Sequence, residues 1–261
     1  MKKLIIFLSL LSIILVQTDL SATPTTGRTW EYLNATALLS PSLAFVVMAG
    51  HRYEFNRIDD PKVKFKETFL WELFVGPVYI MKCGDIKIKL PLWYYYMGFP
   101  TDGKNRPNKT DTYYLSHNID FLPTVEYKMD KLTLINRIIL HNTIFANVYK
   151  TDKERSGFSM LIREMVAVNY ALTPSLIAIL GEEIFYGAVN DKETKPSGAG
   201  FNKIGLVNNR VYAGFNYVFS PALSLSPQYV YEAAFNPDLD TKVIEKEHYI
   251  FITLNYTLKL F

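Results

Sequence analysis

A chain of 261 residues with a net charge of +3 gives no electrostatic reason to expect a nucleic-acid partner, and its one cysteine, Cys83, excludes an internal disulfide framework. Aromatic residues make up 15% of the chain, with 18 Tyr among them, and a ring that is apolar at one end and wet at the other suits an oil–water boundary. Residues 23–261 suffice for one large β domain or two small domains.

Residues 1–22 read as a secretory signal peptide. Lys2 and Lys3 give a basic start, "LIIFLSLLSIILV" (4–16) is the apolar run, and "DLSA" ends on the small residue Ala22. The run falls short of the roughly 20 residues a spanning helix needs. No cysteine follows it, so a lipid anchor is not expected.

Residues 23–41 are expected to be an N-terminal periplasmic or plug segment. In "RTWEYLNATALL" (28–39), Trp30, Leu33, Ala37 and Leu38 fall at helical spacing. Read as a strand instead, the segment would make the strand count odd and put the N-terminus outside. Only five residues lie between Ala22 and Arg28, too few to thread back through a lumen.

From residue 42 onward the signal has period 2. Segments at 42–56, 63–81, 85–98, 112–128, 132–149, 157–170, 174–187, 202–219, 222–235 and 247–260 alternate apolar and polar side chains. Short turns, "KCGD" (82–85), "KMDK" (128–131), "ALTP" (171–174) and "FSPA" (219–222), alternate with longer polar loops such as "FPTDGKNRPNKTD" (99–111) and "VNDKETKPSGAG" (189–200). Tight periplasmic turns and long outer loops are the habit of outer-membrane barrels. The expectation is an all-β, antiparallel, up-and-down transmembrane β-barrel over 42–261. It has about ten strands, with twelve as the alternative if a hairpin breaks at Gly76–Pro77.

The greasy face is expected to meet lipid and the wet face the lumen. By phase the lumen then holds Arg52, Glu54, Glu72, Lys87, Lys89 and Asp120 from the first half of the chain. Glu126, Arg137, Arg163, Glu183, Arg210 and Glu232 follow from the second half, and Lys64 and Lys66 share this phase. Turned to lipid, each Lys or Arg would cost about 2–4 kcal/mol at the midplane. Glu67 and Glu164 fall on the lipid face, at an interface or a bulge. The opposite orientation, greasy face inward, would make a soluble secreted lipocalin-like barrel.

The last strand carries Ile250, Ile252, Leu254, Tyr256, Leu258 and Leu260 on one face and ends on Phe261. Tyr256, Leu258, Leu260 and Phe261 resemble the C-terminal signal by which the barrel-assembly machinery recognises outer-membrane proteins. Thr257 and Lys259 depart from that signal's phase, which is counted from the terminal aromatic.

Arg137, Arg163, Glu183 with Phe185, Asn209 with Arg210, Gly214, Tyr217 and Tyr229 are spaced as in one family of exported barrels. Over residues 130–261 the chain resembles the domain of unknown function numbered 2490, of the porin-like barrels. The resemblance implies an outer-membrane barrel and supplies no reaction.

No metal-ligand spacing, glycine-rich phosphate loop or Gly-x-Ser-x-Gly elbow occurs, and the four His are dispersed, so neither metal nor cofactor is expected. An outer-membrane lipid hydrolase is the enzymatic alternative, built from Ser159, His141 and Glu183. The leading expectation is non-catalytic: a narrow porin-like channel for small solutes, or a closed structural or binding barrel with a charge-paired lumen. About ten strands leave little interior room, and Trp93, Tyr95 and Tyr114 point inward by phase. Lys87 and Lys89 either bias a pore towards anions or pair with Asp120, Glu126 or Glu72. Outer-membrane lipid is the expected partner, and the oligomeric state is left open.

Overall fold

The computed structural model describes residues 25–57, 67–99, 113–149, 154–155, 158–190, 204–236 and 242–261. The strands in chain order are β1 (Thr25–Ser40), β2 (Leu43–Arg57), β3 (Glu67–Cys83), β4 (Ile86–Phe99), β5 (Tyr113–Phe121), β6 (Thr124–Met129) and β7 (Leu132–Tyr149). They continue with β8 (Glu154–Arg155), β9 (Ser159–Thr173), β10 (Leu176–Asn190), β11 (Gly205–Ser220), β12 (Leu223–Asn236) and β13 (Lys242–Lys259). The expected signal peptide lies outside the described residues.

All of these strands belong to one closed all-β barrel. β5 and β6 share one place in the ring, both lying between β4 and β7. Pro123 divides them, because proline has no N–H to give a ladder. The two-residue β8 pairs only with β7. Eleven places remain, and their pairings are antiparallel except at one seam, where β1 runs parallel to β13 from Thr25↔Lys246 to Leu38↔Lys259.

That seam corrects the reading of residues 23–41 as a helix or plug segment. β1 pairs with β13 on one side and β2 on the other, which satisfies its backbone in both directions. Arg28, Trp30 and Tyr32 are buried inside, while Leu33 is 63% exposed outside. An odd strand number is compatible with closure because a parallel pair accommodates it. β3 runs unbroken through Gly76–Pro77, so the hairpin of the twelve-strand alternative does not form. The β3–β4 register passes from Val75↔Tyr94 to Val78↔Pro91, a stretch where Pro77 and Pro91 supply no N–H. The strands meet so closely there that a β-carbon on Gly76 would strike the Leu92 carbonyl oxygen and Trp93.

The outer face is apolar. Leu33, Val47, Leu92, Ile138 and Leu254 form a band across it, all exposed. Towards the short turns it ends in exposed Phe45, Tyr79, Tyr127, Tyr170, Phe219 and Tyr256, and towards the long loops in Trp71, Tyr94, Tyr186 and Tyr229. Aromatic girdles flanking an apolar band are what a barrel in a bilayer requires. The interior holds the buried core, centred on Trp30, Tyr32, Leu70, Phe74, Tyr95, Met97, Val230 and Tyr249.

The parallel seam is testable. Leu33 and Leu254 are register partners that both face outward. In a Cys83→Ser background, Leu33→Cys with Leu254→Cys should cross-link on oxidation, whereas Leu33→Cys with Leu258→Cys should not. The reverse pattern on a gel would remove the seam.

Candidate functional site

The candidate site is the charged interior, and its centre is Glu72, 3% exposed. Tyr32, Gly50 and Glu72 occupy one row across β1, β2 and β3. A β-carbon on Gly50 would overlap the Tyr32 ring, so the glycine lets Tyr32 lean across β2. Its hydroxyl then donates to Glu72 Oε2 at 2.6 Å. Trp30 Nε1 donates to the same oxygen at 2.9 Å, and Arg52 Nη2 donates to Oε1 at 2.9 Å. The Tyr95 hydroxyl donates to Oε1 as well. Donors from β1, β2 and β4 thus converge on one buried carboxylate of β3.

A second network lies at the long-loop end. Arg28 donates to Glu54 through Nε at 2.8 Å and to Glu247 through Nη1 at 2.6 Å. Tyr249 donates to Glu247, and Thr26 to Glu245 at 2.8 Å. A third joins β9 to β12. Arg210 pairs with Glu232, and its Nη1 lies 3.6 Å from Glu183. Arg163 Nη2 is 2.7 Å from Glu183, Tyr212 also donates to Glu183, and Asn208 donates to Glu232.

Aromatic rings join these networks across the lumen. Trp30 lies between two guanidinium groups, with Arg52 3.6 Å and Arg210 5.0 Å from its ring centroid. Phe185 lies between Arg163 at 4.5 Å and Arg210 at 4.4 Å. On the far side, Tyr95 stacks on Phe74 at 3.9 Å and approaches His141 at 5.5 Å.

The remaining interior charges sit on β4 to β7. His141 Nδ1 is 2.7 Å from Asp120 Oδ1, its direct partner in the β5–β7 register. Of the three acids considered for Lys87 and Lys89, both take Glu126; Lys87 Nζ is 3.6 Å from it. Arg137 Nε donates to the Thr124 hydroxyl at 3.3 Å.

Of the twelve lumen charges named from the sequence, Arg52, Glu54, Glu72, Asp120, Glu183, Arg210 and Glu232 are buried, and Lys87, Lys89, Glu126, Arg137 and Arg163 are half-buried in the contacts above. Lys64 and Lys66, and the side chains of Glu67 and Tyr114, lie outside what is described. Glu164 faces outward, where Asn136 donates to it at 3.0 Å. Sequence reasoning missed Arg28, Trp30, Tyr32, Glu247 and Tyr249. The alternation of Arg28, Trp30 and Tyr32 with Thr29, Glu31 and Leu33 was the available signal. At the C-terminus Tyr256, Leu258, Leu260 and Phe261 are all exposed. Phe261 lies beyond the last residue of β13, Lys259, so strand alternation no longer governs it.

The hydrolase constellation is only partly assembled. Glu183 is held by Arg163 and Arg210, and Asp120 takes the place of acid beside His141. The Thr143 hydroxyl, 3.5 Å from His141 Nε2, donates to Asn118 Oδ1 at 2.7 Å. His51, His117 and His248 hydrogen-bond Glu31, Tyr94 and Tyr229. Among the described residues, no group of three or more His, Cys, Asp or Glu is placed to hold a metal ion.

Two solved structures are similar in outline. The NanC porin, in a rhombohedral crystal form, is 8% identical, with 78% of this chain and 85% of that chain covered and a TM-score of 0.43. The high-pH structure of Pseudomonas putida OprB is 12% identical, with 75% and 52% covered and a TM-score of 0.32. Comparison with curated proteins finds no match. The family described as "Protein of unknown function (DUF2490)" matches residues 27–242, so the resemblance drawn from 130–261 holds as far as residue 242 and extends back almost to the start of β1. The chain belongs to the DUF2490 family.

Proposed function

We propose that this protein is a non-catalytic, integral outer-membrane β-barrel whose interior is closed at mid-depth by an aromatic, ion-paired plug. The observation that carries the reading is Trp30. Its indole reaches past β13 and β12 to lie near Arg210 of β11, while Arg52 of β2 covers it and Glu72 of β3 accepts its N–H. Side chains from both sides of the ring meet at that point, and Tyr95, Phe74 and Phe185 fill around it.

The apolar outer band and its two girdles support insertion in a bilayer. Strands such as β7 and β13, at 18 residues, exceed the 9 to 11 or so a bilayer needs, so their long-loop ends project beyond it. The short turns and the C-terminus face the periplasm. Residues 1–22 direct export, and Tyr256, Leu258, Leu260 and Phe261 are offered to the barrel-assembly machinery. Outer-membrane lipid is the main partner.

A narrow channel is the second reading. It is favoured by the side chains of Lys87 and Lys89, which are inside the barrel yet 36% and 31% exposed, so water reaches the short-turn half. Conduction would require the Trp30 plug to move. The non-catalytic reading is supported by Thr143, whose hydroxyl lies 3.5 Å from His141 Nε2 and directs its proton to Asn118.

Three measurements test this. The refolded protein should give no conductance steps in a planar bilayer, and Trp30→Ala combined with Arg210→Ala should give them; steps of equal size in both would refute closure. Glu72→Ala leaves Arg52 buried without its carboxylate and should cost about 3–5 kcal/mol in urea unfolding from micelles. A loss below about 1 kcal/mol would remove Glu72 from the centre of the structure. Cell fractionation should find a heat-modifiable protein in the outer membrane; a soluble periplasmic protein would overturn the location.

A further inference from the structure

The two halves of the interior differ in sign. Around Arg28, at the long-loop end, stand Glu54, Glu245 and Glu247. Towards the short turns, Lys87, Lys89 and Arg137 surround the single carboxylate Glu126. Lys89, Thr124 and Arg137 lie in one row across β4, β6 and β7, with the Thr124 hydroxyl between the two cations. That hydroxyl donates to the Leu122 carbonyl at 3.0 Å and accepts from Arg137 at 3.3 Å. Among the described residues no carboxylate lies within ion-pair distance of Arg137. The nearest in its row, Glu183, is engaged by Arg163 and Arg210.

We propose that the short-turn half of the barrel is a blind vestibule that binds a small oxyanion, phosphate or carboxylate, between Lys89, Arg137 and Lys87. An oxyanion there gives Arg137 the charge-assisted, two-pronged partner that a neutral hydroxyl does not provide. It also offsets the local excess of positive charge in a space where screening is weak. The plug at Trp30 closes the vestibule from above, and the side chains of Lys87 and Lys89 are open to solvent on the short-turn side. The inference goes beyond the closed-barrel reading: the oxyanion site, though not the blindness of the vestibule, survives if the barrel conducts, since binding in micelles does not depend on closure.

Isothermal titration of the full-length refolded protein in neutral maltoside micelles tests it, with inorganic phosphate and acetate as probes against chloride at equal ionic strength. At least one oxyanion should bind saturably. Lys89→Gln and Arg137→Gln should each weaken binding about tenfold, and Glu126→Gln should tighten it by a similar factor. A gain in Glu126→Gln is an effect that damaged folding does not produce. Phosphatidylglycerol added to the micelles assigns the anion: competition points to a lipid headgroup, its absence to a free solute, and both outcomes keep the site. No saturable heat in the wild type, or affinity unchanged in all three variants, overturns the proposal.

Discussion

A buried carboxylate is tolerated only when donors replace its water, and the barrel is organised around that constraint at Glu72. Its donors are Trp30 and Tyr32 on β1, Arg52 on β2 and Tyr95 on β4. Two of the four come from the strand that closes the ring. Closure and satisfaction of the central charge are therefore one event: without β1 the barrel has two open edges and Glu72 loses half of its donors. β1 is a strand by its backbone, and its Arg28, Trp30 and Tyr32 side chains are buried in the interior.

The outward alternation of ten strands was plain in the sequence, and so were pairings across the short turns. Folding the chain back at Asp130–Lys131 places Asp120 opposite His141, and folding it at Pro221–Ala222, with a one-residue shift between Val218 and Ser220, places Arg210 opposite Glu232. A tight turn fixes register, and register fixes partners. Pairings across the long loops were not legible, because only a tight turn fixes register from sequence alone. Arg52 was therefore not visible as the partner of Glu72, and the sequence left Lys87 and Lys89 a choice of three acids. β1 was hidden for two further reasons. Trp30, Leu33, Ala37 and Leu38 fit a helical period as well as a strand, and an odd strand count argued against the strand. A parallel seam answers the second objection, and only pairing across the whole chain exposes it.

Register also explains why this interior carries ions rather than an aliphatic core. A slip of one residue in any strand would turn its entire inner set towards the outside. With an apolar interior behind an apolar exterior, such a slip would cost little, because either set suits either face. Here a slip in β11 would carry Arg210 and Tyr212 outward and leave Glu183 and Glu232 with fewer donors. Each misplaced charge costs several kcal/mol in hydrocarbon or in a dry interior.

The outer face follows the same logic with weaker groups. Glu164 and Glu182 point outward, and each accepts from an asparagine on the neighbouring strand, Asn136 at 3.0 Å and Asn209 at 2.8 Å. An amide partner is neutral and shares the load without adding a second charge to an apolar surface. Inside, where aromatic rings and guanidinium groups alternate, Arg28, Arg52, Arg163 and Arg210 each have both a counter-charge and a ring face. Guanidinium-paired acids such as Glu72, Glu183 and Glu232 lie inside, while outward Glu164 and Glu182 are paired with amides, which gives the two faces different chemical signatures. That difference orients the strands even where polar residues interrupt the apolar band.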